Sequence, residues 1–256
     1  MESARSIWIS RCGPDGCVAA TDQVAVEEPL EIRLDGHPVA VVMRTPGDDP
    51  DLVAGFLVTE GIVSSVADVR KTEVRPDENR VLAFLKDGVE VDLGRLTRHM
   101  FSGSSCGLCG KATLEAIFND FPPITRKLQV PDAVFLGAPA KLRAAQSAFD
   151  STGGLHAAGI FSASGELLVL REDIGRHNAV DKVIGHALLN GIDLGAVFLM
   201  VSGRVSFEIL QKALAARIPV IAAISAPSSL AVDFAKNSGQ TLIGFLRPPT
   251  FNRYAG

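Results

Sequence analysis

No stretch of this 256-residue chain stays apolar for the ~18 residues that a membrane-spanning helix needs. The opening Met-Glu-Ser-Ala-Arg-Ser-Ile-Trp lacks the apolar core of a secretory signal. Cysteine is scarce, with four in all, which suits a reducing compartment better than a disulfide framework. Positive charge is also short: 25 Lys and Arg against 29 Asp and Glu leave a net charge of −4. That balance argues against a nucleic-acid surface and leaves room only for a local basic pocket. Internal repeats and low-complexity tracts are missing too. These absences predict a cytoplasmic protein with no membrane and no nucleic-acid partner. What is present is apolar mass, since 47% hydrophobic residues and a mean hydropathy of +0.24 supply a real core. The length fits one or two domains.

Two of the four cysteines stand in Phe101-Ser-Gly-Ser-Ser-Cys106-Gly-Leu-Cys109-Gly-Lys111. Nothing in that glycine and serine wrapping packs a core, so both thiols are reachable by another protein's active site. Lys111 follows, and the run to Asn119 reads as a helix whose N-terminus favours thiolate at Cys109. A lone CxxC has three readings: a redox couple, half of a zinc site, or idle thiols. A four-cysteine zinc site would need Cys12 and Cys17, whose spacing is wider than usual zinc ligand pairs. A thioredoxin-type couple stands at a strand-to-helix junction, whereas a hairpin pattern and a glycine-serine run precede this one. Cys12 and Cys17 flank Gly13-Pro14-Asp15-Gly16, a turn signal, and otherwise read as idle thiols.

The chain changes texture near the CxxC. Before it, Leu30–Leu34 and Val39–Met43 flank Asp35-Gly36 as a hairpin, and Asp49 with Pro50 caps a helix to about Thr59. Val81–Leu85 and Val89–Leu93 across Asp87-Gly88 read as a second hairpin. This half, residues 1–105, is predicted to be a small α+β domain. After it, residues 106–256 alternate helices with short apolar strands. Pro131–Ala148 reads as helical, Ile160–Ser162 and Leu167–Leu170 as a hairpin, and Asn178–Leu189 as a strong amphipathic helix. Strands at Val197–Val201, Val220–Ile224 and Thr241–Leu246 are separated by helices at Ser206–Ala216 and Ser229–Lys236. That pattern predicts a three-layer α/β/α domain around a mostly parallel sheet, with the CxxC loop at the domain junction. Ligands of such sheets gather at the carboxyl ends of the strands, here Ser202-Gly-Arg204, Ser225 to Ser229 and Arg247-Pro-Pro.

A polar cluster, Arg171-Glu-Asp-Ile-Gly-Arg-His-Asn-Ala-Val-Asp-Lys182, leads into the Asn178 helix. Arg171, Arg176, His177 and Lys182 are of the type that meets phosphate at a helix start. The same cluster also reads as plain capping, with Asn178 as N-cap and Asp181 three residues on. Arg204 joins the anion-site reading, since its segment would converge on the same sheet edge.

Eight ordered motifs then carry a resemblance. They are Glu27-Glu-Pro-Leu-Glu-Ile, Arg44-Thr-Pro-Gly-Asp-Asp, Gly55-Phe-Leu-Val-Thr-Glu-Gly61, Ser105 to Lys111, Thr152-Gly-Gly-Leu-His-Ala-Ala158, Arg171 to Lys182, Ser202-Gly-Arg-Val-Ser-Phe-Glu208 and Ser225-Ala-Pro-Ser-Ser-Leu-Ala-Val232. From about Asp22 to Tyr254 the chain resembles the formate dehydrogenase accessory proteins, the FdhD-type sulfur carriers. The resemblance implies a cytoplasmic homodimer with a cytidine-deaminase-like C-terminal domain. It implies a sulfurtransferase that takes persulfide sulfur from a cysteine desulfurase on Cys106; beside it, Cys109 reads as a thiol that resolves or protects the persulfide, or as a helper thiol that can be lost with modest effect. The sulfur would pass to the molybdenum bis(molybdopterin guanine dinucleotide) cofactor, carried as cargo, before insertion into apo formate dehydrogenase. No permanently bound metal is implied. The family's cofactor-contact segment falls on Phe245, Leu246, Arg247, Pro248, Pro249 and Thr250, where Pro248-Pro249 departs from a glycine common in the family. Arg176, His177, Lys182, Arg204 and Arg247 would meet the phosphates of the guanine nucleotide tails.

A deaminase-like fold raises the possibility of deamination. Zinc deaminases need H-x-E followed by P-C-x-x-C, the glutamate moving protons for zinc-bound water. Here His156-Ala-Ala158 puts alanine at the glutamate position, and the CxxC precedes the histidine without a proline. His156 is therefore expected to be structural or a cofactor contact.

Overall fold

A computed structural model describes residues 3–91, 117–118 and 120–256. Cys106, Cys109, the domain junction and most of the helix expected over Lys111–Asn119 lie outside those residues; Ile117 and Phe118, near its end, are helical.

The chain opens with an antiparallel ribbon, β1 (Ala4–Gly13) and β2 (Gly16–Ala25). Its tip is the turn expected between Cys12 and Cys17, but those two are not idle thiols. They are cross-strand partners joined by a disulfide, which removes them from any four-cysteine zinc site. Next come β3 (Glu28–Leu34) and β4 (His37–Arg44), paired as expected. The turn uses left-handed backbone at both Asp35 (φ 47°) and Gly36 (φ 83°), the geometry that matches hairpin twist.

The second expected hairpin is different. β6 (Arg80–Leu85) pairs antiparallel with β5 (Val69–Arg75) and parallel with β3, giving the order β4-β3-β6-β5, and Val89–Val91 form no strand. β5, Val-Arg-Lys-Thr-Glu-Val-Arg, is an edge strand with charged side chains on its open faces, so it lacks the apolar signal that marks a buried strand. Helix α1 (Asp49–Thr59) covers one face of this sheet, burying Leu52, Val53, Leu57 and Val58 with Leu30, Ile32, Leu34 and Val81. Its N-cap is Asp48, not Asp49, whose carboxylate turns inward to Arg44.

The second half is built on a six-stranded sheet in the order β12-β11-β10-β9-β7-β8. Its strands are β7 (His156–Ser162), β8 (Leu167–Asp173), β9 (Val197–Val201), β10 (Val220–Ala223), β11 (Thr241–Arg247) and β12 (Thr250–Ala255). The sheet is mixed rather than mostly parallel. β9, β10 and β11 run parallel, while β7–β8, β7–β9 and β11–β12 are antiparallel. The reason is connection length: the turns at Ala163–Glu166 and Pro248–Pro249 are too short for the crossover that a parallel pair requires.

α2 (Asp132–Ala144) and α3 (Ser147–Thr152) replace the single helix expected over Pro131–Ala148, broken at Ala145-Gln146. α2 packs Phe135, Ala138 and Leu142 on one face of the sheet. α4 (Arg176–Leu189), α5 (Phe207–Ala215) and α6 (Ser229–Ser238) cover the other. Every residue of β9 and β10 is buried, as a strand covered on both faces must be. None of the described helices is long and apolar enough to cross a membrane.

The two halves meet through α1 and α4, which cross at two glycines. A Cβ on Gly55 would stand 1.9 Å from Asp181 O, and one on Gly185 would stand 1.9 Å from Asp51 O. Each glycine lets the backbone of the other helix touch its own.

Candidate functional site

β9, β10 and β11 are parallel, so their carboxyl ends share one edge of the sheet. They place Ser202-Gly-Arg204, Ser225 to Ser228 and Phe245 to Arg247 along it. β7 runs the other way and brings its first residue, His156, to the same edge; there it pairs with Asp173, the last residue of β8. The 173–178 turn then feeds α4, whose first two residues are Arg176 and His177. Four of the expected contacts are thus carried by adjacent segments of one sheet edge, because two antiparallel strands return to the end where three parallel strands stop.

The loops along this edge are tied together. Val205 N donates to Ala226 O (3.1 Å) and Ser228 N to Val205 O (3.0 Å). Ser202 Oγ accepts from Ala157 N at 2.9 Å. Gly203 sits over His156, since an added Cβ would lie 3.2 Å from His156 Nδ1 and 3.9 Å from Arg176 Cβ. The loop passes this close because Gly203 has no side chain.

The site is cationic and partly dry. Burial, then the charges of Arg176 and His177, hold the His156 imidazole below the usual histidine range; Asp173 opposes them, and Arg204 adds to the effect. His177 Nε2 meets Glu208 Oε2 at 2.9 Å. That hydrogen bond from His177, with the charges of His177 and Arg176, holds Glu208 below the usual carboxylate range against its partial burial. Arg204 is exposed. Arg176 Nε is buried with no hydrogen-bond partner, alone in this among the described side-chain nitrogens and oxygens. α4 begins beside it with Gly175 as N-cap and no side-chain cap. A buried N–H without an acceptor is costly, and an anion at this edge would supply one.

Two other residues of the cluster are not available. Lys182 is buried, with its Nζ 2.8 Å from Asp173 Oδ2 and 2.9 Å from Thr45 O. Arg171 is held by Asp51 (2.8 Å) and Asp48 (3.3 Å). Lys182 is occupied by Asp173 and Thr45, and Arg171 by Asp48 and Asp51, so neither is free to meet a phosphate. Asn178 is not the N-cap either; its Nδ2 donates to Met43 O and Asp173 Oδ1. The reach of Met43 and Thr45 across to residues 173–182 depends on contacts over more than 120 residues, which no local spacing reveals.

The Phe245–Thr250 segment stands at the β10 end of the same edge. Phe245 N donates to Ser225 O (3.1 Å) and Arg247 Nε to Ile224 O (3.2 Å). Phe245 has a left-handed backbone (φ 49°) and is 40% exposed, with the Arg247 guanidinium 5.8 Å from its ring centre. A bulky residue with positive φ is held there only by its surroundings. The surroundings are a bulge between Gly244 and Arg247, where Gly244 packs so tightly on Pro227 and Tyr254 that a Cβ would clash. Leu246 points into the core, while Pro248, Pro249 and Thr250 are exposed. Glu208 was not singled out from sequence; a glutamate two residues after a helix-capping serine carries no signal of its own.

A profile of the FdhD/NarQ family matches residues 25–256. The chain belongs to the FdhD/NarQ family. Proteins named sulfur carrier protein FdhD are similar to it along nearly their whole length. The one from Streptomyces avermitilis is 48% identical, covering 94% of this chain and 90% of its own. The one from Sulfolobus acidocaldarius is 41% identical, covering 98% and 96%. Among solved structures, a crystal structure from Desulfotalea psychrophila, described as that of a formate dehydrogenase accessory protein, superposes with a TM-score of 0.82 at 26% identity. It covers all of this chain and 98% of its own. This FdhD/NarQ member therefore shares a mixed α/β fold with a formate dehydrogenase accessory protein.

Proposed function

We propose that this protein is a cytoplasmic sulfurtransferase of the carrier type. Cys106 takes persulfide sulfur from a cysteine desulfurase and passes it to the molybdenum bis(molybdopterin guanine dinucleotide) cofactor, which formate dehydrogenase then receives. The observation that supports the sulfur half is similarity along nearly the whole chain to proteins named sulfur carriers. In the loading step the Cys106 thiolate attacks the terminal sulfur of the desulfurase persulfide. A new S–S bond forms, and the desulfurase cysteine leaves as thiolate. Cys109, three positions further along the sequence, attacks the inner sulfur in turn. That would release the terminal sulfur as hydrosulfide and leave a Cys106–Cys109 disulfide.

The cargo half rests on Arg176, whose buried Nε has no partner beside His156, His177 and Arg204. A nucleotide phosphate at the strand ends would give that nitrogen an acceptor, with the base toward Phe245–Thr250 and the Phe245 ring as a surface to stack on. The C-terminal half is read as cytidine-deaminase-like in topology, without deaminase chemistry, since Ala158 occupies the glutamate position. A homodimer is part of the same reading.

Incubation with a cysteine desulfurase and cysteine, followed by peptide mass spectrometry, tests the sulfur half. Cys106 should gain the mass of one sulfur atom, and Cys106→Ala should fail to support formate dehydrogenase activity. Labelling confined to Cys109, or full activity in Cys106→Ala, would reverse the assignment.

A further inference from the structure

Asp173 is fully buried and uses one carboxylate oxygen within its own turn and the other toward Thr45 and Lys182. Oδ1 accepts from Gly175 N (2.8 Å) and Asn178 Nδ2 (2.9 Å), closing the turn on itself. Oδ2 accepts from Thr45 N (3.1 Å) and meets Lys182 Nζ at 2.8 Å. Thr45 answers twice: its Oγ1 accepts from Ile174 N (3.1 Å) and its carbonyl from Lys182 Nζ (2.9 Å). Asn178 Nδ2 adds a bond to Met43 O at 2.7 Å. Segment 43–45 of the N-terminal sheet thus grips residues 173–178 by backbone and side chain, on both sides of Arg176 and His177. None of these bonds is made by Arg176 itself. The grip leaves the Arg176 Nε buried without a partner, when a looser turn would let it swing to water.

We propose that Thr45, Asp173 and Asn178 are positioning residues for nucleotide phosphate. Through them the N-terminal sheet holds Arg176 and His177 at the strand ends before ligand arrives. This rests on the nucleotide reading given above. A preorganised cation binds without first losing rotamer freedom, so loosening the turn should weaken phosphate binding without removing any group that touches it.

Calorimetry with GDP tests this using Thr45→Val, which is nearly isosteric and removes only the acceptor for Ile174 N. Affinity should fall about tenfold, the scale of one misplaced charged hydrogen bond, and Thr45→Ser should restore it. Because Thr45 acts through Arg176, adding Thr45→Val to Arg176→Ala should change affinity by no more than about twofold. Should Thr45→Val not fold, Asn178→Ala at a half-exposed position takes the same measurements. Wild-type affinity in Thr45→Val, or a full loss that adds to that of Arg176→Ala, overturns the positioning role while the phosphate site stands. Wild-type affinity in Arg176→Ala overturns the phosphate site, and the positioning role with it.

Discussion

Single residues at the strand ends carry charge states that pH and ligand can shift. His156 is held below its ordinary value of 6.5 by burial and by Arg176 and His177. The unfolded chain therefore takes up a proton at this position before the folded one does. The stability from neutral His156 is complete above about pH 6.5 and is lost as pH falls through the lower folded value. Replacement by Gln should flatten the stability–pH curve in that window, which urea titrations at successive pH values would detect. Phosphate at Arg176 would reverse the local field and raise the imidazole, so GDP binding should be accompanied by proton uptake and tighten as pH falls toward 6. Calorimetry in buffers of different ionisation enthalpy measures that proton directly; no uptake would place the phosphate away from His156. Arg176, His177 and Arg204 were legible in sequence as charges at the mouth of an apolar sheet. The capture of Lys182 by Thr45 as well as Asp173, and of Arg171 by Asp48 and Asp51, was not, because Thr45, Asp48 and Asp51 lie in a distant segment.

Elements were legible where apolar periodicity is strong and hidden where it is weak. β9 and β10 are buried on both faces, and α4 carries a regular apolar stripe, so each stood near its expected place. β1, β2 and β5 expose most of their side chains, and their alternation is blurred by Ser, Thr and charged residues. Trp8 on β1 is 81% exposed, a position that tells periodicity nothing. The α1–α4 crossing was equally silent, since glycine in a helix reads as a weak point rather than a contact. At Gly185, alanine would improve helix propensity but drive its Cβ against the carbonyl of Asp51. The clash is with backbone and cannot be relieved by a rotamer. Gly185→Ala should therefore destabilise the protein by about 1–3 kcal/mol or more, the usual scale of overpacking. Equilibrium unfolding in urea would show it, and a stabilised variant would mean the helices part easily.

Across the whole molecule, the halves are joined by buried charge as well as by glycine contact. Lys212 on α5 lies 2.9 Å from Asp181 on α4 and 2.6 Å from Glu60, just past α1. Its Nζ also donates to Thr59 Oγ1 at 3.0 Å, and Thr59 Oγ1 donates to Asp181 Oδ1 at 2.7 Å. Desolvation works against the charged lysine, yet Asp181 and Glu60 hold it above the ordinary lysine range. Such a cluster contributes little net stability over a well-packed apolar one, but breaking one member is expensive. Lys212→Met leaves Asp181 buried without its cation and should cost about 3–5 kcal/mol, whereas Lys212→Met with Asp181→Leu should recover most of that. The network spans α1, α4 and α5, and α5 starts at the Ser206–Glu208 side of the site. Loss of Lys212 should therefore lower one shared transition rather than split it. Hydrogen exchange would show α1 and α4 amides opening together with the same reduced free energy. Separate opening of α1, with α4 unchanged, would show that the N-terminal sheet is only loosely attached and could not hold the turn at Arg176 in place.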